Sequence, residues 1–249
     1  MDESKAIEYL MHFGMSRQEA TVYLRLIEAG KQTGYEIARD TGISRSNVYA
    51  SLAALVEKGA AYLVEEDAKR YIPVHVQEFC GNRIRRMEEE QKWLDMNLTG
   101  EQKEEEGYVT IDGQEHISDK IHNLLANVEE RVYCSCSGVC LEQLKGQLKE
   151  LTEKGKKVVL VTDHPFELSG AIIYVTKEKG NQIGLITDSK YVLSGEYGQE
   201  SRNTCVYSGQ RNFVTLFKTA LANEIELIKI REGENENAVS YTHLTLPTI

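Results

Sequence analysis

The sequence predicts an α+β protein of more than one domain: an N-terminal helix-turn-helix with a β-hairpin, a connecting coiled-coil helix, and a C-terminal α/β domain. Three observations predict it. Capping signals and glycine stops divide residues 1–75 into short helices, a charged Pro-free stretch from residue 76 carries an apolar stripe at heptad spacing, and beyond Gly107 apolar runs alternate between strand and helix periods. The length of 249 residues suits one large domain or two ordinary ones, and 41% hydrophobic residues argue against a wholly disordered chain. No window reaches the roughly eighteen consecutive apolar residues of a membrane span, and MDESKAIEYL lacks a basic region followed by an apolar run, so the expectation is a cytoplasmic protein with no membrane partner. Five Cys without a secretion signal argue against a disulfide framework. The balance of 29 Lys+Arg against 39 Asp+Glu, net −10, makes the chain a poor nucleic-acid partner on charge alone.

In order along the chain, Ser16-Arg17-Gln18-Glu19 is a capping box: the serine side chain serves an orphan amide of the first turn while the glutamate reaches back. The helix it opens has Ala20, Val22, Tyr23, Leu26 and Ile27 on its apolar face and ends near Gly30. A second box, Thr33-Gly34-Tyr35-Glu36, opens a short helix that Gly42 closes. Ser44 caps a third helix, in which Val48, Leu52, Leu55 and Val56 fall at i, i+4, i+7 and i+8 until Gly59. Residues 61–73 then read YLV, a polar EEDAKR tip and YIPV, the pattern of a hairpin.

Turning the apolar positions of the third helix inward leaves Ser46, Asn47, Ala50, Ala53 and Ala54 outward, with Arg45 and Tyr49 on the flanks. Small outer residues let a helix enter a major groove. Arg45 suits a phosphate or a guanine edge, Asn47 an adenine, and the hydroxyls of Ser44 and Ser46 phosphate oxygens. Lys69 and Arg70 at the hairpin tip have the chemistry of a wing that crosses the DNA backbone. The alternative is a small-residue face that packs on a neighbour. Segment charges of −2 for residues 1–75, −4 for 76–107 and −4 for 108–249 place most of the acidity outside this head, so a selective, salt-sensitive binder is expected.

From residue 76 to 107, Cys80, Ile84, Met87, Gln91, Leu94 and Leu98 recur at 4-3-4-3-4 spacing, which predicts a dimerisation helix followed by an acidic linker. Packing of the stripe on one of the protein's own domains is the alternative. Beyond it, strands are expected at 108–111, 131–137, 156–162, 171–175, 182–187, 191–194 and 203–207, and helices at 115–128, 141–154 and 211–230, forming a mixed sheet covered by helices in a domain of residues 108–232. Residues 233–249 are expected to be a disordered tail. Its end, AVSYTHLTLPTI, is uncharged and Thr-rich and resembles translated adapter read-through, so the natural C-terminus is expected to differ.

The stretch FGMSRQEATVYLRLIEAGKQTGYEIARDTGISRSNVYASLAALVEKGAAYL resembles the winged helix-turn-helix of the TrmB family of transcriptional regulators, most closely in GISRSNVYASLAALVEKG, and the likeness extends over residues 3 to about 230. The resemblance implies DNA contacts at Ser44, Arg45, Ser46, Asn47 and Tyr49 and, on the wing, at Lys69 and Arg70. It also implies a C-terminal domain like that of phospholipase D, which in some members of the family binds sugars as effectors. The extra domain of the sugar-binding members is not evident here.

Phospholipase-D-type enzymes need a His-x-Lys-x4-Asp motif, in which His attacks phosphorus and Lys neutralises developing charge. None of His116, His122 or His164 has a Lys two residues on, and ITDSKYVLSG, at residues 186–195 where the motif would lie, has no His. No catalytic residue, cofactor or metal is therefore expected, and the domain reads as an inactive sensor. Ser135, Ser137, Asp163, His164, Ser189, Lys190 and Glu196 are expected to converge at strand ends on a polar effector. Cys134 and Cys136 share one face of a strand, with Cys140 a turn further on and Cys205 on a later strand. Inert packing is the favoured reading and a thiolate metal or redox site the alternative, since Cys-x-Cys-x3-Cys is not a usual zinc spacing.

The expected function is a dimeric, effector-responsive regulator whose recognition helices meet a two-fold, palindromic operator in double-stranded DNA. A phosphodiesterase or nuclease with a helix-turn-helix targeting module, and a winged-helix protein-interaction module, are the rival readings.

Overall fold

A computed structural model describes the backbone of residues 2–66, 68–98, 107–199 and 201–241, with side chains as far as Arg231. It divides into two compact units, residues 1–100 and 101–249.

The first unit holds helices α1 (Glu3–His12), α2 (Arg17–Ala29), α3 (Gly34–Thr41) and α4 (Arg45–Glu57), strands β1 (Gln32–Thr33), β2 (Ala61–Glu65) and β3 (Lys69–Pro73), and the long helix α5 (Val76–Asn97). Both capping boxes form: Ser16 N donates to Glu19 Oε2 at 2.8 Å while Ser16 Oγ accepts from Glu19 N, and Thr33 pairs with Glu36 in the same way. Gly30 and Gly42 end their helices with φ of +75° and +70°, a conformation that costs a Cβ-bearing residue but not glycine. Sequence periodicity missed α1, which packs Ile7 and Leu10 on the core, and β1, which is two residues long and forms only because β3 lies beside it in the order β1-β3-β2.

The core of this unit gathers Tyr23, Leu26, Ile37, Val48, Leu52, Leu55, Tyr71 and Phe79. Tyr23, fully buried, donates its hydroxyl to the carbonyl of Val74 at 2.7 Å, and burial pushes its ionisation up to about 12. That bond fixes α2 to the chain just where α5 begins.

The second unit is a seven-stranded mixed sheet in the order β4-β10-β9-β8-β5-β6-β7, from β4 (Val109–Asp112), β5 (Arg131–Ser135), β6 (Lys157–Thr162), β7 (Ala171–Val175), β8 (Gln182–Thr187), β9 (Tyr191–Glu196) and β10 (Thr204–Ser208). Strands β5, β6 and β7 run parallel and the remaining pairings are antiparallel. Helices α6 (Gln114–Ala126) and α7 (Gly138–Glu153) pack Ile117, Ile121, Leu125, Leu141, Leu144 and Leu148 against Val132, Leu160 and Leu185. Helix α8 (Arg211–Tyr241) packs Val214 and Phe217 with Ile186 and Val192. The expected end of α8 near residue 230 is a correction: the helix continues to Tyr241, through the first part of the tail expected to be disordered. Residues 242–249 lie outside the described residues. No helix among the described residues is long and apolar enough to cross a membrane.

Candidate nucleic-acid interface

Helix α4 starts at Ser44, whose Oγ accepts from Asn47 N at 3.4 Å and lies 3.3 Å from Ser46 Oγ. Val48, Leu52 and Leu55 are fully buried, and this anchors one face of the helix. The opposite face is exposed at Ser44, Arg45, Ser46, Asn47, Tyr49, Ala50 and Ala53, as the periodicity predicts. Ala54 and Val56 are half-buried and Ser51 is buried, so the inward arc is centred nearer Ser51 than expected.

Two aromatic contacts shape the exposed end. The Arg45 guanidinium lies over the Tyr35 ring, 4.4 Å from its centroid, which holds a charged fork in place without neutralising it. The Tyr49 ring lies against the backbone of Gly34, where a Cβ would stand 2.6 Å from the ring. Gly34 opens α3, so Tyr49 fixes the angle at which the two helices of the motif meet. Neither Tyr35 nor the role of Gly34 was legible in sequence, because both act across the turn between helices.

The wing departs from expectation. Lys69 is exposed and makes no ion pair among the described residues. Arg70 is half-buried and lies between two carboxylates, 3.8 Å from Glu36 and 3.7 Å from Glu66. Glu36 is held below the usual carboxylate range first by its hydrogen bonds with Thr33, with Arg70 and Arg39 adding to the effect. Glu66 also accepts from Lys31. Arg70 is thus tied to the protein, whereas Lys69 is presented to solvent.

In the second unit the residues expected to converge fall at two ends of the sheet. Ser135, Ser137 and Asp163 come together where β5 and β6 end. Ser137 caps α7, with its Oγ accepting from Cys140 N at 3.3 Å. Asp163 accepts from Gly138 N at 2.9 Å, Lys179 N at 3.2 Å and His164 Nδ1 at 2.8 Å. Burial alone would raise its ionisation, but those three bonds outweigh it and hold the carboxyl below its usual range. Glu196, opposite Gln182, lies toward this same end.

Ser189 and Lys190 are a correction to the expected convergence. They belong to the β8–β9 turn, beyond the Thr187–Val132 pair at the start of β5, and Val132 already lies about 10 Å from Ser135 at the strand rise of about 3.3 Å per residue. Lys190 there pairs with Glu129 at 2.9 Å. Asp188 accepts from the backbone amides of Glu129, Glu130 and Arg131 at 2.9, 2.8 and 2.9 Å. This turn is structural. It is closed by two non-glycine residues at positive φ, Asp188 and Ser189, at +50° and +55°.

A polar cavity of about 550 Å³ opens near Glu196, lined also by Lys179, Asn181, Gln182, Ser201 and Arg202. The Lys179 side chain is only 9% exposed and pairs with Glu224 of α8. These residues carry no motif; tertiary folding alone gathers them. Among the described residues no group of three or more His, Cys, Asp or Glu side chains is arranged to hold a metal ion.

The fold and the exposed α4 face define a winged helix-turn-helix protein with an appended α/β domain. Residues 10–77 match the family model described as "Sugar-specific transcriptional regulator TrmB", so this part of the chain is similar to the corresponding domain of that family. It is 23% identical over 159 residues to the uncharacterized protein YrhO of Bacillus subtilis (strain 168), covering 62% of this chain and 58% of that protein. It is 24% identical over 157 residues to the HTH-type sugar sensing transcriptional regulator TrmBL1 of Pyrococcus furiosus, covering 60% and 46%. The chain thus spans about half the length of these curated relatives. A solved structure of TrmBL2, described as an archaeal chromatin protein with a novel mode of DNA binding, aligns over 91% of this chain and 99% of its own with 20% identity and a TM-score of 0.43.

Proposed function

We propose that the protein is a dimeric transcriptional regulator that binds double-stranded DNA through α4 and senses a small molecule with its C-terminal domain. The observation that carries this reading is the end of α4 in a domain similar to that of the TrmB family, where exposed Ser44, Ser46, Asn47 and Tyr49 surround an Arg45 held over Tyr35. Arg45 meets phosphate or a guanine edge, Asn47 a base edge, and the serines phosphate. Lys69 serves as the wing's phosphate contact. Arg70 joins it only by leaving Glu36 and Glu66, so its part in DNA binding is smaller than the motif implies.

The second copy joins along α5, whose stripe leaves Ile84, Met87, Leu94 and Leu98 between 46% and 70% exposed, more apolar surface than a lone helix ordinarily shows water. Dimerisation presents two α4 helices to half-sites about 34–36 Å apart on a palindromic operator. The C-terminal domain, on this reading an inactive phospholipase-D-like fold working in the cytoplasm, takes a polar effector in the cavity beside Glu196 and Lys179, whose backbone amide Asp163 holds. A sugar is the effector that the family's description suggests. Effector binding shifts the population of DNA-competent dimers.

One observation favours a second reading, a winged helix that binds protein. The EEDAKR run of the hairpin tip sets three acidic residues before its two cations, a poor match to a phosphate backbone. Titration of genomic-fragment DNA at several salt concentrations separates the two. Arg45→Ala combined with Lys69→Ala is expected to weaken binding at least tenfold and to flatten the log K against log salt slope by roughly one unit for each phosphate no longer neutralised. If the double variant binds DNA with unchanged affinity and slope, the protein-binding reading stands.

A further inference from the structure

The first turn of α3 anchors two arginines in opposite ways. Tyr35 carries the Arg45 guanidinium on its ring at 4.4 Å, which leaves the charge available, whereas its neighbour Glu36 faces Arg70 at 3.8 Å and offsets the charge. Strand register brings Arg70 there: it sits opposite Thr33 of β1, and Thr33 is the cap whose partner three residues on is Glu36. Arg70 also pairs with Glu66 at 3.7 Å, and Glu66 accepts a hydrogen bond from Lys31, the residue before β1. Lys31, Glu66, Arg70 and Glu36 thus form a chain of alternating charge that links the hairpin to α3.

All four side chains are between 36% and 46% exposed, and neither Arg70 contact reaches the length of about 2.7–2.9 Å of a charge-assisted hydrogen bond. Pairs this open add little to the stability of a fold. They do decide how much positive charge the head shows to a polyanion. Of the nine Lys and Arg in residues 1–75, five (Arg25, Lys31, Arg39, Lys58 and Arg70) lie in ion pairs among the described residues. Arg25, Arg39 and Lys58 pair with carboxylates of α2 and α3, whereas Lys31 and Arg70 belong to the edge and the central strand of the winged sheet. Both carboxyls of the chain titrate below their usual range, Glu36 first through Thr33 and Glu66 first through Lys31, so both are charged at neutral pH.

We propose that Glu36 and Glu66 are a carboxylate clamp that withholds Arg70 and Lys31 from phosphate and so limits how tightly the head grips DNA of arbitrary sequence. The proposal rests on the DNA-binding reading of α4. A phosphate that reaches β3 has to displace a carboxylate before it meets a cation, so the contact adds little on arbitrary DNA, and binding is left to Arg45, Asn47 and Lys69. The clamp thereby raises the share of binding that depends on base edges. Glu36 and Glu66 are specificity-determining residues that touch no base.

Full-length protein carrying Glu36→Gln and Glu66→Gln tests the clamp, because Gln at the third helical position still completes a capping box. The probe is a short fluorescein-labelled duplex of arbitrary sequence, titrated by anisotropy between about 50 and 200 mM salt. The double variant is expected to bind about tenfold more tightly than wild type at the low-salt end and to steepen the log K against log salt slope by roughly one to two units, about 0.9 for each phosphate newly neutralised. Glu66→Gln alone, which leaves the α3 cap untouched, is expected to give part of both changes. In a Lys31→Ala, Arg70→Ala background the same glutamines are expected to leave the slope unchanged and to lose most of the gain in affinity, since no withheld cation remains. An equal gain and an equal steepening in that background would trace the effect to bulk charge and overturn the clamp, as would wild-type binding that the glutamines leave unaltered. Failure of wild type and all variants to bind the duplex at about 50 mM salt would instead remove the DNA-binding reading, and the clamp with it.

Discussion

At the scale of single residues, contacts across the chain redirect side chains whose type alone suggests one role. Lys69 and Arg70 are adjacent cations at a hairpin tip, yet Arg70 lies between Glu36 and Glu66 while Lys69 has no such partner among the described residues. Asp188 and Lys190 look like polar groups for a ligand, yet Asp188 caps three backbone amides and Lys190 pairs with Glu129. Burial raises the Asp188 ionisation, and the three amides together with Lys190 outweigh it, so the carboxyl titrates below its ordinary range. The stability it contributes is therefore complete above the unfolded value of about 3.9 and disappears as pH falls through the lower folded value. Asp188→Ala is expected to cost on the order of 2 kcal/mol at neutral pH, given ~1.5–3 kcal/mol for hydrogen bonds to a charged group, with the gap to wild type closing below about pH 4. Urea denaturation followed by circular dichroism across that range measures it; a gap independent of pH would assign Asp188 no ionic role.

At the scale of elements, local signals are strongest where a segment satisfies its own backbone. The two capping boxes and the Gly30 and Gly42 stops define α2 and α3 to within a residue, because Ser16–Glu19 and Thr33–Glu36 are contacts three residues apart. Strand β1 and helix α1 carry no such signal because their reasons lie elsewhere: β1 exists as a partner of β3, and α1 as a lid on the core. Helix α5 is the opposite case, a legible heptad with little to bury within its own unit. Only Phe79 of this 22-residue helix is buried, and Trp93 is 59% exposed. Ile84→Lys with Leu94→Lys is accordingly expected to leave the fold of each unit intact while converting the dimer to monomer in sedimentation equilibrium at micromolar concentration. A wild-type chain that sediments as a monomer would remove the coiled coil from the proposal.

At the scale of the whole molecule, each unit has hydrophobic clusters of its own among the described residues. One gathers residues from Ile7 to Phe79, and the other two gather residues from Ile117 onward. Each unit has fully buried large side chains of its own, Tyr23, Leu26 and Leu52 in the first and Ile121, Leu148 and Leu160 in the second. Fragments ending at Leu98 and beginning at Gly107 are therefore expected to fold separately and to melt cooperatively. A fragment without a cooperative transition would mean that its core depends on the other unit. With a net charge of −10 on the chain and −2 on its first 75 residues, the proposed DNA-binding head is expected to have weak non-specific affinity, and attraction must come from a few placed cations.

The boundaries of α2, α3 and α4, the exposed face of α4, the heptad of α5 and the succession of strands in the second unit are all written in the order of amino acids. Each depends on hydrophobic period or on hydrogen bonds between residues three or four apart, which the chain spells out locally. Three-dimensional folding alone settles which cations remain available, that Ser189 and Lys190 lie at the opposite end of the sheet from Ser135 and Asp163, and that Lys179 and Arg202 join Glu196 around one cavity. Those outcomes follow from strand register and from pairings across 30 to 60 residues, such as Arg70 with Glu36 and Lys190 with Glu129. No local pattern encodes them, because each is set by which segment the fold brings alongside.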